Sequence, residues 1–149
     1  MQVKDIVKPA VIVSETDTFE TALKAMMTQH TNTLLVTGEN GHLSGEVTVT
    51  DLLGAVVPDT LDGGAVMDHF ATDEAFIASI EVARDLPVAE FMSYDFSALT
   101  LNDNLMSIVA TAIAHERARI PVVDNDNHPI GIISRQGLKQ IMDKFLHTK

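Results

Sequence analysis

The sequence predicts an α/β fold in which one β-α-β-β-α unit occurs twice. The first observation is an internal repeat: at one constant offset and without a gap, residues 3–56 align with residues 89–142, so that Gly45 falls on Gly131. The second is that each copy holds two apolar runs around a turn rich in Asn, Asp or Gly, as in a β-hairpin. The third is that stretches with helical spacing of apolar residues lie before and after each hairpin. This order of elements predicts small sheets covered by helices.

The first copy begins with a short strand and a helix. Asp17 and Glu20 mark the start of this helix, because they are spaced as an N-cap residue and its N3 partner. A hairpin follows, and a last helix closes the copy. The predicted strands are residues 10–13, 33–37 and 43–49, and the predicted last helix is residues 51–57.

The second copy has the same elements, with Asn102 or Asp103 as the candidate N-cap of its first helix. Its predicted strands are residues 97–101, 120–124 and 129–134, and its predicted last helix is residues 136–146. The predicted domain organisation is a first repeat at residues 1–57, a connector at residues 58–88 and a second repeat at residues 89–149.

The connector is acidic, and its apolar spacing predicts a helix over residues 65–84. It holds seven acidic side chains and a single arginine, Arg84. Two interpretations remain open at this point. The connector is either a helix with a solvated acidic face or a docking surface for a partner protein.

Composition excludes several classes of protein. The net charge is −11 and only ten residues are Lys or Arg, so we expect no binding to nucleic acid phosphates. The chain has no cysteine, which excludes disulfides and thiolate metal sites, and we expect no metal site of another kind. No apolar run approaches the roughly 20 residues that a membrane-spanning helix needs. We therefore expect no membrane partner and a cytoplasmic location.

Two segments at matched positions of the repeat carry a resemblance to a known family. They are residues 45–52, GEVTVTDL, and residues 131–138, GIISRQGL, each of which leads from a glycine through a strand to Thr or Ser and then into a helix. Residues 118–124 also look like the second strand of that family. The repeat resembles the CBS (cystathionine-β-synthase) domain pair, or Bateman module. The resemblance implies an α/β fold of two β-α-β-β-α CBS repeats packed as a pseudo-two-fold pair.

The resemblance also implies a function. Members of this family bind an adenine nucleotide (AMP, ADP, ATP or S-adenosylmethionine) in the cleft between the repeats. They commonly act as regulatory or energy-sensing modules for enzymes, channels or transporters. By this resemblance the chain is a non-enzymatic regulatory module that needs no cofactor and whose ligand is one of these four molecules.

Thr48 and Asp51 are the principal candidates for binding this ligand. Thr48 ends a strand where a helix begins, so its hydroxyl and the first N–H groups of the helix can contact a phosphate. Asp51 lies three residues further on, where its carboxylate can accept hydrogen bonds from ribose hydroxyls. The alternative is that this pair only caps the helix. In the second copy Ser134 keeps the hydroxyl but Gly137 replaces the acid, which predicts that the site of the first copy is the principal one.

Arginine and apolar residues complete the predicted site. Arg119 matches an arginine that reaches the nucleotide phosphates in the kinase regulatory subunits that the repeat resembles, whereas its first-copy counterpart is Thr33. Arg135 is a further phosphate candidate. The alternative for Arg119 is an ordinary surface arginine paired with Glu116 or Asp124. The adenine ring is expected against apolar strand residues, with Val11, Ile12 and Leu35 as the candidates.

Three classes of function remain at this point. The first is a nucleotide-sensing module, the second a structural or dimerisation module with degenerate sites and no small ligand, and the third an enzyme. We expect no enzyme, because no nucleophile, base and orienting acid can be grouped from the sequence. We expect a homodimer and an effector protein that the sequence does not identify. The dimer is predicted to use apolar faces of the two last helices, namely Leu52, Leu53, Val56, Ile141 and Phe145.

Overall fold

The structure is a computed structural model that describes residues 1–57, 64, 70, 72–94, 96–114 and 119–147. The chain forms two compact units, each assembled from separate stretches of sequence. Unit 1 comprises Met1–Ala10, Thr37–Leu43 and Asp95–Lys149, and unit 2 comprises Val11–Val36 and Ser44–Tyr94.

Helices and small sheets alternate along the described chain, as the α/β prediction requires. The strands are β1 (Ile12–Ser14), β2 (Thr33–Thr37), β3 (Leu43–Thr48), β4 (Ile120–Val123) and β5 (Pro129–Ile133). The α-helices are α1 (Phe19–Gln29), α2 (Val49–Val56), α3 (Asp73–Ala83), α4 (Leu105–Ala114) and α5 (Arg135–Leu146), with 3₁₀ turns at Val3–Asp5, Glu39–Gly41 and Val88–Glu90. Strands β1, β2 and β3 form one sheet in that order, and β4 and β5 form an antiparallel pair.

The first helix of each copy begins one or more residues after the predicted cap. Thr18, not Asp17, is the N-cap of α1, and its hydroxyl accepts from the backbone N–H of Thr21. Asp17 instead accepts from the backbone N–H of Ser14 at 2.8 Å and closes the turn before the helix. The second copy repeats this arrangement: Asp103 accepts from Thr100 at 2.8 Å, and Asn104 accepts from Ser107 at 3.0 Å. The predicted caps were therefore wrong: Thr18 and Asn104 make the cap hydrogen bonds, and the aspartate before each of them closes the preceding turn.

Two other predicted elements differ from the structure. The strand predicted at residues 97–101 is reduced to one parallel bridge between Leu99 and Val122, with backbone hydrogen bonds of 2.8 and 2.9 Å on either side. Within the helix predicted for the connector, the structure describes α3, which begins at Asp73 after the N-cap Thr72. The remaining connector residues 58–63, 65–69 and 71 lie outside the described residues.

Each unit has its own apolar core. The buried residues of the unit 2 core are Val13, Phe19, Ala22, Met26, Leu34, Val36, Val47, Leu52, Val56, Ala83, Val88 and Met92. Those of the unit 1 core are Val3, Leu99, Ile108, Ile120, Val122, Ile133 and Ile141. Burial of this apolar surface stabilises each unit by about 25 cal/mol for each Å² removed from water.

The segment that precedes the first strand of each copy packs with the elements of the other copy. In unit 1, Lys8 forms an antiparallel bridge with Ile132 of β5. In unit 2, Ser93 forms the equivalent bridge with Glu46 of β3. The compact units are thus not the contiguous stretches of the sequence repeat. The predicted repeat boundaries at residues 57 and 89 describe where the two similar stretches of sequence end and begin, and they stay a prediction.

Both bridges pass over a strand glycine. A Cβ atom at Gly131 would lie 2.4 Å from the carbonyl oxygen of Lys8, and one at Gly45 would lie 2.7 Å from that of Ser93. Atoms of real side chains do not approach so closely, so only glycine allows the bridging segment to lie against the strand. This contact explains why both copies have glycine at this position of the repeat.

The turn between β4 and β5 is closed by one carboxylate. Oδ1 of Asp124 accepts from the backbone N–H groups of Asp126 and His128, each at 2.9 Å. The pKa of the Asp124 carboxyl lies below its ordinary value. The hydrogen bond from His128 is the largest cause of this shift, and the hydrogen bond from Asp126 contributes less. Asp124 is therefore accounted for as a turn residue.

We expect the stability of the protein to fall at low pH partly through Asp124. Its pKa is lower in the folded chain than in the unfolded chain, so the carboxylate stabilises the fold above the unfolded pKa of about 3.9. That stabilisation disappears as the pH falls through the folded pKa. Urea unfolding midpoints at successive pH values below 5 should therefore fall less steeply for Asp124→Asn than for the unchanged protein. Asp126→Asn is the matched control, and equal slopes for both variants would contradict the prediction.

In the part of the chain that the structure describes, no helix combines the length and the apolar composition needed to cross a membrane.

Candidate functional site

Thr48 and Asp51 form a reciprocal cap at the start of α2. The Thr48 hydroxyl accepts from the backbone N–H of Asp51 at 3.3 Å, and Oδ2 of Asp51 accepts from the backbone N–H of Thr48 at 2.8 Å. The Thr48 hydroxyl also donates to Oδ2 at 3.2 Å. These bonds place both side chains at the end of β3, as their spacing predicts, and hold them half-buried. The second oxygen of the Asp51 carboxylate takes no part in the cap.

An open pocket of about 540 Å³ lies beside this cap in unit 2. The described residues that line it are Thr50, Asp51, Gly54, Ala55, Leu86, Glu90, Phe91 and Met92. One wall is the first two turns of α2, and the other is the segment around the 3₁₀ turn Val88–Glu90. The volume lies within the range of about 300–1,000 Å³ that is usual for small-molecule sites.

The three residues predicted to contact adenine also lie in unit 2: Val11 directly precedes β1, Ile12 begins it, and Leu35 lies in β2. Ile12 is 44% exposed and Leu35 is 1% exposed, while Val11 is half-buried. Ile12 therefore presents the largest side-chain surface of the three.

Ser134 occupies the position of Thr48 in the second copy. It is the N-cap of α5, and its hydroxyl accepts from the backbone N–H of Gly137 at 3.1 Å. A Cβ at Gly137 would meet only ordinary contacts, the nearest being a side-chain carbon of Ile133 at 3.6 Å. The cap of the second copy thus lacks the carboxylate half of the reciprocal arrangement, as the sequence indicates.

The two predicted arginines lie in unit 1 with Ser134. Burial lowers the pKa of the half-buried Arg119 guanidinium, and the positive charge of Arg135 lowers that pKa further. The side chain of Arg135 is exposed. Of the two partners considered for Arg119, Glu116 lies outside the described residues, and Asp124 accepts two backbone hydrogen bonds in its own turn.

Among the described residues, one group of aspartate and histidine side chains lies close enough together to suggest a metal site, and it belongs to the β4–β5 turn. Asp124, Asp126 and His128 offer ligand atoms within 4.8 Å of one another. The carboxylate of Asp124 also lies 3.4 Å from Nδ1 of His128. Since Asp124 already closes the turn, this group is explained by the hairpin itself.

Sequence reasoning missed Glu90 as a pocket residue. The sequence places Glu90 in the second repeat and Asp51 in the first, and only the packing of residues 86–93 in unit 2 brings Glu90 to the pocket beside α2. No local pattern around Glu90 indicates this position, because the contact joins segments far apart in sequence.

The comparisons with known proteins agree with this fold. The model of the CBS domain family matches the chain twice, at residues 3–58 and 88–144. The chain belongs to the CBS domain family. The two matches are the two copies of the internal repeat, so the protein is a tandem CBS module, and its matched residues include both Thr48–Asp51 and Ser134–Gly137.

Solved CBS structures share the fold over nearly the whole chain. The CBS domain of a CBS domain-containing membrane protein from Sphaerobacter thermophilus is 27% identical, with a TM-score of 0.75, over 94% of this chain and 86% of that one. CBSX2, a CBS-pair protein from Arabidopsis thaliana, is 21% identical, with a TM-score of 0.77, over 99% of this chain and 98% of that one. CBSX2 has also been solved in complex with AMP, and that structure has a TM-score of 0.71 to this CBS pair.

One curated relative is a much longer protein. A homoserine O-acetyltransferase from Methanocorpusculum labreanum is 26% identical over 126 residues. The match takes in 85% of this CBS pair but only 21% of the relative. This chain thus spans about a fifth of the length of that protein.

Proposed function

We propose that this CBS pair is a non-catalytic regulatory module that binds an adenine nucleotide, namely AMP, ADP, ATP or S-adenosylmethionine. The observation that carries the proposal is the reciprocal Thr48–Asp51 cap beside a pocket of about 540 Å³. The cap uses only Oδ2 of Asp51. Oδ1 of the same carboxylate can therefore accept a hydrogen bond from a ribose hydroxyl without breaking the bonds at the start of α2. Capping and ligand binding are therefore compatible at this aspartate.

Three polar residues of unit 1 support a second proposal, which concerns phosphate binding. We propose that Arg119 and Arg135, together with the hydroxyl of Ser134, contact phosphate oxygens of an adenine nucleotide bound at unit 1. Guanidinium groups suit this role because they donate paired hydrogen bonds and stay charged. The AMP complex of CBSX2 supports an adenine nucleotide as the ligand class of a related fold.

A structural module without a small ligand is the second candidate. Two observations favour it: Thr48 and Asp51 already satisfy one another as a cap, and Gly137 leaves the second copy without a ribose acceptor. On this alternative the paired repeats serve only to assemble with another chain.

A ligand screen by thermal unfolding separates the two candidates. We expect at least one of the four ligands to raise the unfolding temperature, because a ligand that binds only the folded state stabilises it by about 2.7 kcal/mol at 100 times its Kd. ATP incubated with the protein should release no phosphate above the buffer rate. GTP at equal concentration is the control for non-specific anion binding. Unchanged unfolding temperatures with all four ligands would favour the structural module.

The regulated partner and the assembly are also proposals. We propose a cytoplasmic homodimer that acts on an effector protein. Of the five helix residues predicted for the dimer, Leu53 is 52% exposed and Phe145 is 45% exposed, and both support a contact with a second copy. The other three, Leu52, Val56 and Ile141, are buried in the cores of the units and do not serve that role.

A further inference from the structure

The pocket beside Asp51 is negatively charged. Its described lining has two carboxylates, those of Asp51 and Glu90, and no Lys, Arg or His. Asp51 stands at the start of α2, and Glu90, which is exposed, ends the 3₁₀ turn Val88–Glu90. A phosphate in this pocket would meet two like charges, each of which disfavours it.

The basic residues of unit 2 do not offset this charge. Unit 2 contains one lysine, Lys24, and one arginine, Arg84. Arg84 forms an ion pair with Glu20 and lies 3.9 Å from Glu81, so its charge is neutralised within its own cluster. Neither basic residue is among the described residues that line the pocket.

The rest of the lining suits a flat apolar ring. Leu86, Phe91 and Met92 form one wall, and Phe91 is held by an edge contact with Phe19 at 5.8 Å between ring centroids. Aromatic and thioether groups pack well against a purine base. The pocket therefore combines a surface for a base with acceptors for hydroxyl or positively charged groups.

We propose that this pocket takes an adenine nucleoside whose 5′ substituent is uncharged or positively charged, in preference to a nucleoside phosphate, and that Glu90 sets this preference. The inference rests on the proposed function, which it narrows for the site of unit 2. Among the four candidate ligands, S-adenosylmethionine has the required chemistry, since its cationic sulfonium and amino groups outweigh its single carboxylate and leave the 5′ substituent net positive. Adenosine is the uncharged counterpart.

Titration calorimetry on the whole chain tests this preference, with adenosine, S-adenosylmethionine, AMP and ATP as the probes. We expect adenosine and S-adenosylmethionine to bind at least about tenfold more tightly than AMP, because the two carboxylates of the lining, of which that of Glu90 is exposed to solvent, together disfavour a phosphate by about the energy of a tenfold change. Glu90→Gln should reduce the ratio of S-adenosylmethionine to AMP affinity by about three- to tenfold, and Glu90→Lys should reduce it further.

Glu74→Gln is the matched control, because it removes the same charge from an exposed position in the first turn of α3. It should leave the affinity ratio unchanged, and urea unfolding would show that each variant is folded. Tighter binding of AMP or ATP than of both nucleoside probes would overturn this inference while leaving the proposed function intact. An unchanged ratio in both Glu90 variants would overturn the role of Glu90. Failure of all four probes to bind would overturn the proposed function itself, and this inference with it.

Discussion

Replacing Gly131 by alanine should destabilise the protein by about 3 kcal/mol, at the upper end of the usual cost of overpacking a core. The new Cβ would lie 2.4 Å from the carbonyl oxygen of Lys8 and 2.7 Å from a methyl carbon of Val7. The first of these atoms belongs to the backbone of a bridge to β5, with hydrogen bonds of 2.8 and 2.9 Å, so it cannot move without breaking them. Urea unfolding monitored by circular dichroism measures this loss.

Gly137→Ala is the control for the Gly131 substitution. The same methyl group is added in the same unit, but its nearest neighbours lie at 3.6, 3.7 and 3.9 Å. Because alanine also favours the helix, the control should be unchanged or more stable, by at most about 1 kcal/mol. Equal stability of Gly131→Ala and the unchanged protein would show that residues 7–8 can shift away from β5 at little cost.

Replacing Asp51 by alanine should weaken binding of the adenine ligand by about 10- to 150-fold. The variant removes a charged acceptor whose hydrogen bonds to a ligand contribute about 1.5–3 kcal/mol. It also removes half of the reciprocal cap of α2, which should lower the free energy of unfolding by about 1 kcal/mol. Calorimetric titration well below the unfolding temperature measures the affinity separately from the stability.

Thr18→Ala separates ligand binding from capping. Thr18 is the N-cap of α1 in the same unit, and its hydroxyl accepts from the backbone N–H of Thr21 at 3.2 Å. Its loss should cost a similar amount of stability and leave the ligand affinity unchanged. If Asp51→Ala keeps full affinity, or if Thr18→Ala loses as much affinity as Asp51→Ala, then Asp51 is a structural cap and not a ligand acceptor.

The internal repeat and the turn residues predicted most of the secondary structure. The strand predicted at residues 33–37 has those bounds, and the last helix of the second copy begins at Arg135, one residue before the prediction. Both results follow from local chemistry, since apolar spacing and turn residues act over a few positions. The caps were harder to predict, because Asp17 and Thr18 are both good cap residues and only the turn to Ser14 decides between them.

The strand predicted at residues 97–101 failed for a different reason. Its apolar residues are present, but among the described residues its backbone pairs with β4 through one bridge, between Leu99 and Val122. An apolar run indicates that some of its side chains will be buried, as that of Leu99 is. It does not show how many backbone hydrogen bonds a partner strand will offer.

By itself the sequence determined the α/β class, the duplicated unit, the family resemblance and the position of Thr48 and Asp51 where a strand meets a helix. These depend on residues a few positions apart or on similarity between copies, both of which can be read along the chain. Only the tertiary structure decided that residues 86–93 pack in unit 2 and bring Glu90 and Phe91 to the wall facing α2. That choice depends on which distant segments bury their apolar side chains together and pair their backbone groups, and this is a property of the folded chain that no local pattern encodes.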